Sequence, residues 1–358
     1  MRRTAALACL GLAAAAGACE HALPFGAYNP GPNGPRNIAF PIQLTFDAPP
    51  DRDPAWLPDG SAFIYAYSPF RPDNDQCLAV LPAYGGRWLQ TICHEPADSG
   101  DDSTNALSNP AAGPGGLIAY LREGSLIDAV LPSSRELVVA TLSQPDPGRA
   151  VLGLPFLAPD GQLVITLSHL HWLSSGSLIF LAERATYPTI PPDTVLTPIE
   201  VMRLDLGGLT GTVSVVPATL GATSVSVSPA GKIYVTLQGD SVVYSVEPDL
   251  GTRTPVFTFA GLGPVGEAQV VGNHLLVLAG GVVATQRAGL VYEADLTTDS
   301  VAALLGSPDA YYQRPALDPS ATIVVAEQHP VTIRALYESG PLDTLLGKSS
   351  DLWLLQAR

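Results

Sequence analysis

Two histidines spaced two residues apart are the clearest chemical lead in this 358-residue chain. His169 and His171 alternate within a largely apolar run, so on a strand both imidazoles would leave the same face. Two ligands do not complete a metal site, and the sequence lacks the Gly-x-Ser-x-Gly, His-Glu-x-x-His and phosphate-cradling glycine motifs. We therefore assign no catalytic residue, no metal and no cofactor from the residues themselves.

Two of the four cysteines have a spacing that suits a structural bond. Cys77 and Cys93 flank a strand-like segment whose centre, Pro82-Ala83-Tyr84-Gly85-Gly86, has the composition of a turn. Strand pairing centred on Gly85 places the two thiols opposite each other, which predicts a cross-strand disulfide in an oxidising compartment. The alternative is a pair of buried thiols.

These residues must be positioned by a repeating β architecture. The segment from Asp53 to Tyr65 reads as an apolar strand, a Pro58-Asp59-Gly60 turn and a return strand, and similar phrases recur along the chain. Most other runs are short and β-branched or apolar, and no convincing amphipathic helix interrupts them. The repeat centres are Trp56, about Ala111, Trp172, Val227, roughly Val270 and Leu317.

The spacing of these centres predicts an all-β, six-bladed β-propeller. They lie about 43 to 61 residues apart, and a four-stranded blade occupies roughly 40 to 50. A rival turn at Leu157-Ala158-Pro159-Asp160-Gly161 keeps seven blades as an alternative. Because it lies close before Trp172, residues 151–167 are assigned to an outer hairpin of the second blade. The equivalent residues Trp56 and Trp172 are predicted to pack between blades rather than to serve as ligand platforms.

Both ends of the chain contribute to ring closure in this prediction. The segment from Asp351 to Leu355 resembles a third blade strand that has no fourth strand after it. The apolar and polar residues from Ile42 to Phe46 alternate as in a strand, so this segment is predicted to complete the last blade.

The repeats resemble a known family. Pro54-Ala55-Trp56-Leu57-Pro58-Asp59-Gly60 and Leu170-His171-Trp172-Leu173-Ser174-Ser175-Gly176 are similar to the repeats of TolB-type propellers, also called WD40-like or PD40 repeats. The resemblance covers most of residues 38–358 and implies a six-bladed ring closed by its N-terminal strand and used mainly for protein contacts. TolB has a separate N-terminal domain where this chain has a short tether, so its partners are not transferred.

Propellers usually bind at the mouth of the central channel where the inner strands enter. The aligned strand starts form a polar ring, which is the binding-site hypothesis, with channel solvation as its alternative: Asp53, Ser108, His169, Ser224, Glu267, Gln313 and Arg314.

The first residues predict export and lipid anchoring. Arg2 and Arg3 precede a short apolar stretch that ends in Ala16-Gly17-Ala18-Cys19, which is similar to the lipobox of bacterial lipoproteins. The resemblance implies a signal peptide at 1–18, a lipidated Cys19 and, after a Pro/Gly-rich tether at 19–37, a propeller at 38–358. Glu20 favours the outer membrane, facing the periplasm. Ordinary secretion is the alternative.

Charge narrows the partner. Without Arg2 and Arg3 the chain holds 16 basic and 33 acidic residues, because the whole chain holds 18 and 33. Such a surface repels nucleic acid and anionic lipid, so the membrane is contacted through the lipid anchor only. The partner is then an envelope protein or a small ligand.

Two functions follow. The first is an envelope scaffold that binds proteins or ligands, and the second is a propeller enzyme of the lactonase or quinone-dependent dehydrogenase type. Three or more titratable groups converging in the channel would favour the enzyme, and an apolar mouth would favour the scaffold.

Overall fold

The computed structural model describes the chain from residue 40 onward with gaps. The described ranges are 40–46, 50–68, 76–94, 104–125, 134–186, 195–207, 211–247, 249–279, 282–283, 286–287, 289–304, 310–335, 342–346 and 350–358. The predicted signal peptide, the Cys19 lipid site and the tether lie outside these residues.

The described residues form six antiparallel sheets of four or five strands, each of which is one blade, and one separate two-stranded sheet. Blade 1 contains β2 (Arg52–Trp56), β3 (Ala62–Tyr67), β4 (Cys77–Pro82) and β5 (Gln90–Ile92). Blade 2 contains β6 (Thr104–Ala112), β7 (Leu117–Ser125), β8 (Ser134–Thr141) and β9 (Gln144–Leu154). Blade 3 contains β10 (Phe156–Leu157), β11 (Leu163–Ser174), β12 (Ser177–Thr186), β13 (Val195–Asp205) and β14 (Thr212–Val215).

The remaining three blades follow the same order from the axis outward. Blade 4 contains β15 (Ala222–Val227), β16 (Ile233–Leu237), β17 (Val242–Glu247) and β18 (Thr252–Thr258). Blade 5 contains β19 (Val265–Val271), β20 (His274–Ala279), β23 (Leu290–Asp295) and β24 (Ser300–Ala303), with β21 (Val282–Val283) and β22 (Gln286–Arg287) paired apart. Blade 6 contains β25 (Ala310–Leu317), β26 (Ile323–Ala335), β28 (Asp351–Gln356) and β1 (Ile42–Gln43), and β27 (Leu342–Leu346) pairs with β26.

The innermost strands form a closed circle. Each of β2, β6, β11, β15, β19 and β25 contacts the next, and β25 returns to β2. Among the described residues the core divides into six apolar clusters, one at each seam between neighbouring blades. The prediction of an all-β, six-bladed propeller is confirmed, and the seven-bladed alternative is wrong.

Ring closure also follows the prediction. Ile42 pairs with Leu354 and Gln43 with Trp353, so the N-terminal strand is the fourth strand of blade 6. Pairing continues beyond β1, because the Leu44 N–H donates to the Leu352 carbonyl at 2.8 Å. The Leu44 side chain is buried against blades 1 and 6.

The turn chemistry explains why these sequences form hairpins. Gly60 has a φ of 69°, a left-handed conformation that glycine adopts without a steric penalty. Its N–H donates to the Leu57 carbonyl at 2.9 Å, while Asp59 Oδ1 accepts from the Ser61 N–H at 3.0 Å. The Pro58-Asp59-Gly60 turn thus joins β2 to β3 as the sequence indicates.

The hairpin around Pro159 differs from its predicted place. Phe156 pairs with Val164 and Leu157 with Leu163, so this turn joins β10 to β11 within blade 3. Only residues up to Leu154 belong to the outer strand of blade 2. The assignment of residues 151–167 to blade 2 is therefore wrong for its second half, because the inner strand of blade 3 is 12 residues long and begins before the repeat phrase.

The predicted disulfide is present. Cys77 and Cys93 are bonded, with their Cα atoms 4.6 Å apart. Leu78 pairs with Ile92 and Val80 with Gln90, which is the register centred on Gly85. The bond ties the outer edge of blade 1.

The described residues hold no helix of the length and apolar character that crossing a membrane requires. Their helical content is one 3-10 turn at Pro114–Gly116.

Candidate functional site

A bulge at the same place in every inner strand shapes the channel. In each blade the pairing of the first two strands slips by a residue or more near the channel mouth. In five of the six blades the bulged residue is a non-glycine residue with a φ between 46° and 53°: Asp53, Asn109, His169, Glu267 and Arg314. Such left-handed residues cluster at functional sites, because their strain must be offset by the surrounding structure.

These five side chains surround one narrow part of the channel, with a volume of about 60 Å³. We call Asp53, His169, Glu267 and Arg314 the charged ring. All four belong to the predicted ring of strand starts, and the structure brings them together.

Three other predicted residues lie elsewhere. Ser108 is one residue before the bulge, and Asn109 occupies the position that was expected for it. The shift arises because the repeat centre of blade 2 is Ala112, not Ala111. A signal for the correct alignment was present in the sequence, since Asp53, Asn109 and Arg314 are each followed by Pro-Ala.

Ser224 and Gln313 are not part of the charged ring. Ser224 is 1% exposed and its Oγ lies 2.7 Å from the Thr236 hydroxyl. The same Oγ accepts from the Ala268 N–H at 3.2 Å, which joins blades 4 and 5. Gln313 is half-buried beside Arg314 and pairs with Glu327 on the neighbouring strand.

Arg314 is the cation of the charged ring. Its Nε lies 3.3 Å from Asp53 Oδ1, and its Nη1 lies 4.0 Å from Glu267 Oε1. The same Nη1 is 2.6 Å from His169 Nε2. Each contact joins Arg314 to a different blade, so the guanidinium ties blade 6 to blades 1, 3 and 5.

His169 Nε2 lies between a hydrogen-bond acceptor, Glu267, and a hydrogen-bond donor, Arg314. It lies 2.9 Å from both carboxylate oxygens of Glu267 as well as close to Arg314. A neutral imidazole either donates from Nε2 to Glu267 or accepts there from Arg314, and the Ser168 hydroxyl 3.0 Å from Nδ1 suits either tautomer. The proton of the neutral His169 imidazole can therefore be on Nε2 or on Nδ1.

A second carboxylate layer lies next to the charged ring. Glu327 Oε1 accepts from the Asp53 N–H at 2.6 Å, and Glu327 Oε2 lies 3.3 Å from His329 Nε2. Both side chains are buried. Sequence reasoning missed Glu327 because it lies on the second strand of blade 6, outside the repeat positions that were compared.

Burial and charge together perturb the titration of this cluster. Burial raises the pKa of Asp53, an effect that Arg314 opposes and Glu327 strengthens. Burial, followed by the nearby Arg314 charge, lowers the pKa of His169, so its ring is neutral at pH 7. For Arg314, burial would lower the pKa, but Glu267, Asp53 and Glu327 outweigh it and hold the pKa above its usual value.

Beyond the charged ring the channel widens into a larger cavity of about 510 Å³, which we call the apolar chamber. Pro54, Ala55, Leu170, His171 and Gln269 line both spaces, so the two are continuous. Among the residues that the structure describes, no Asp, Glu, Lys or Arg lines the apolar chamber. Its rim is formed by the hairpin turns that follow the inner strands, at the end of the channel opposite the predicted mouth.

His171 and Ser226 are the polar groups that distinguish this wall. Burial, with a smaller contribution from His169, lowers the pKa of His171 to about 4, so its ring is uncharged at neutral pH. Ser226 is 3% exposed, and its Oγ has no hydrogen-bond partner among the described residues.

The two tryptophans of the repeat have two roles. Trp56 Nε1 donates to the Ala316 carbonyl at 2.8 Å, and Trp172 Nε1 donates to the Ala111 carbonyl at 3.2 Å. Each indole thus bonds to the preceding blade, which confirms their predicted packing between blades. Both rings also line the apolar chamber.

Metal coordination finds no support in this part of the chain. Among the described residues, no group of three or more His, Cys, Asp or Glu side chains could hold a metal ion.

Comparisons with known proteins identify the fold. No protein-family model and no curated protein matches the chain. Similar solved structures include a protein of unknown function from Dyadobacter fermentans, with a TM-score of 0.50, 13% identity and coverage of 89% of this chain and 98% of that one. An oligogalacturonate lyase from Vibrio parahaemolyticus has a TM-score of 0.48 and 10% identity, with coverage of 88% of this chain and 93% of that one. TolB from Acinetobacter baumannii has a TM-score of 0.46 and 14% identity. The match covers 79% of this chain and 60% of that protein.

Proposed function

We propose that this chain is an exported, lipid-anchored binding protein of the bacterial cell envelope. Its ligand occupies the central channel, and the protein carries out no chemistry of its own. The anchor is Cys19, and residues 19–37 tether the propeller on the periplasmic side of the outer membrane. The partner is a small ligand rather than another envelope protein, because the apolar chamber is a preformed concave site within the molecule.

The observation that supports this function best is the contrast between the two parts of the channel. The charged ring surrounds a space of about 60 Å³ and its two carboxylates pair with Arg314, whereas the apolar chamber offers about 510 Å³ and has no Asp, Glu, Lys or Arg of the described residues in its wall. A water molecule needs roughly 10–15 Å³ of such a cavity, so the space inside the charged ring holds a few waters, and the larger apolar chamber is where a ligand fits.

Capture from the envelope tests this function. The lipidated full-length chain, with a C-terminal affinity tag, is extracted in a styrene–maleic acid copolymer and its bound small molecules are identified by mass spectrometry. We expect a compound that copurifies with the wild type and is lost from Ala112→Phe, which narrows the apolar chamber. A capture that yields only proteins, equally with both variants, would support a protein-interaction scaffold instead.

Lipid attachment has a separate test. Cells grown with an alkyne analogue of palmitate should label the wild-type chain and not a Cys19→Ser variant. Equal labelling of both chains, or of neither, would contradict anchoring through Cys19.

The charged ring supports a second candidate function, that of a propeller enzyme. Asp53, Glu267 and the neutral His169 converge on Arg314, which is the arrangement that the sequence analysis associated with catalysis. Ring opening of a neutral lactone, followed by proton release, distinguishes the two functions. A binding protein gives the same rate with wild type and Glu267→Gln, whereas an enzyme loses activity in the variant.

A further inference from the structure

We infer that the apolar chamber binds an uncharged small molecule that has at least one flat ring. Its ring packs against the Trp56 and Trp172 indoles. This inference rests on the proposed binding function, because it names the ligand class for the same channel.

The wall of the apolar chamber excludes ions. The chain carries a formal charge of -15, yet in the described part of the chain no Asp, Glu, Lys or Arg side chain lines this cavity. A charged ligand entering it would lose its hydration without gaining a counter-ion. The titratable group of the wall is His171, and burial keeps it neutral at pH 7. The groups that face His171, namely His169, Glu267 and Arg314, are paired with one another in the charged ring.

The two indoles supply fixed flat surfaces. Their Nε1 atoms are bonded to the backbones of neighbouring blades, so the rings are held in place before any ligand arrives. Trp172 is confined further, because a Cβ built on Gly113 would lie 2.7 Å from its ring atoms. Flat aromatic faces at the wall of an apolar cavity favour ligands with rings, because stacking adds to the burial of apolar surface.

A pair of dyes with the same ring skeleton tests this inference. N-phenyl-1-naphthylamine is neutral and has one N–H donor, whereas 1-anilinonaphthalene-8-sulfonate adds a negative charge to the same rings. The mature chain from residue 19 to 358 is exported with a non-lipoprotein leader, carries Cys19→Ser, and is purified without detergent so that no lipid competes for the dyes. Fluorescence titrations then give the affinity and stoichiometry of each dye.

The expected result is saturable binding of one neutral dye per chain, at least tenfold tighter than that of the anionic dye. Ala112→Phe and Val227→Phe narrow the cavity from two different blades and should each weaken the neutral dye at least tenfold. Leu250→Ser is the matched control, because Leu250 is 74% exposed and away from the channel, so binding should not change.

Three results would overturn the inference: no saturable binding, equal affinity for both dyes, or unchanged binding in both phenylalanine variants while their melting temperatures match the wild type. None of these results touches the envelope capture, which tests the binding function with the natural ligand. Conversely, dye binding that obeys these expectations while the capture yields no compound would leave the ligand class intact and reject the proposed physiological role.

Discussion

At the level of single residues, Arg314 is outnumbered by the carboxylates around it. Three carboxylates, those of Asp53, Glu267 and Glu327, raise its pKa, and it is the one cation among them. A buried cluster of this kind tolerates the loss of an anion better than the loss of its cation, because the remaining carboxylates repel one another.

The first expectation concerns this asymmetry. Arg314→Met should lower the free energy of unfolding at pH 7 by about 3 kcal/mol, because it leaves the buried Glu327 and the half-buried Asp53 and Glu267 without a counter-charge. Asp53→Asn should change it by less than about 1 kcal/mol, since one carboxylate of the excess is removed and the Asn109 N–H keeps an acceptor. Urea unfolding measures both.

Arg203→Met is the matched control for Arg314→Met. Arg203 pairs with Asp205 at 2.8 Å, but the side chains are 31% and 45% exposed, and such a pair contributes little. Equal losses in the two arginine variants, or a loss in Asp53→Asn as large as that in Arg314→Met, would contradict the role given to Arg314.

The second expectation concerns His171 and pH. Its pKa is lowered from 6.5 to about 4 in the folded chain. The unfolded chain therefore binds a proton below pH 6.5 that the folded chain does not accept until about pH 4, and stability falls as pH falls through this window. This group accounts for a loss of about 3 kcal/mol.

His171→Gln removes that titration and keeps a donor for the Val225 carbonyl. Between pH 7 and pH 4 the free energy of unfolding decreases in both proteins. The decrease should be about 3 kcal/mol smaller in this variant than in the wild type. The check is urea unfolding across the range. A variant that loses stability as steeply as the wild type would show that His171 is accessible to protons in the folded chain.

Sequence predicted the charged ring better than its surroundings. Asp53, His169, Glu267 and Arg314 were identifiable because the repeat places them at equivalent strand positions. Glu327 was not, because its significance depends on which neighbours it meets in three dimensions. The apolar chamber was missed for the same reason: small residues such as Ala112 create its space, and no motif marks an empty volume.

At the level of elements, the inner strands contribute residues to the channel at two positions that are three residues apart. In five of the six blades the bulged residue lines the narrow part of the channel, and three residues later another residue contributes to the wall of the apolar chamber. In blade 4 the equivalent Ser224 is buried against blade 5 instead. Trp56, Ala112, Trp172, Val227, Val270 and Leu317 are these wall residues. The large indoles occur in blades 1 and 3, and each fills a seam against the blade before it.

Gly113 tests the seam between blades 2 and 3. Its φ of -125° suits any residue, but an added methyl group would meet the Trp172 ring at 2.7 Å. Gly113→Ala should therefore lower the free energy of unfolding by about 2 kcal/mol through overpacking. Chemical denaturation provides the measurement.

Gly153→Ala, in β9, is its matched control. No atom lies within 4 Å of the added methyl group, and the backbone is not left-handed, so this variant should be as stable as the wild type or slightly more stable. Trp172→Leu combined with Gly113→Ala should lose less than the sum of the two single variants. Additive losses would mean that the glycine and the indole do not oppose each other.

The prediction of elements was wrong in blade 3, where the inner strand begins well before the repeat phrase. The turn at Pro159 has the same chemistry as the turn at Pro58, but it precedes the bulge of blade 3 instead of following it. Turn residues specify a local reversal of the chain, and they do not specify on which side of the inner strand that reversal occurs.

For the whole molecule, the channel exists because the ring is closed, and closure depends on a short N-terminal strand. Its partner β28 is the third strand of blade 6, and sequence analysis predicted the pairing because a propeller blade with three strands is incomplete. What sequence could not supply was the burial of Leu44 in the seam between blades 6 and 1, since that depends on the closed ring itself.

Leu44→Asp tests this closure. Leu44 is 5% exposed, and a carboxylate at this point would be buried without a partner in an apolar seam. We expect a loss of about 3 kcal/mol or more in the free energy of unfolding, together with faster proteolysis. Phe46→Asp, two residues later at a position 44% exposed, should have little effect. A matching loss in both variants would mean that the N-terminal strand contributes through its backbone alone.

The most direct measurement of the central claim is a crystal structure of the mature chain grown with N-phenyl-1-naphthylamine. We expect electron density for one dye molecule in the apolar chamber, with a ring against Trp56 or Trp172. Density at the charged ring or on the outer surface, with the apolar chamber filled by water alone, would contradict the claim.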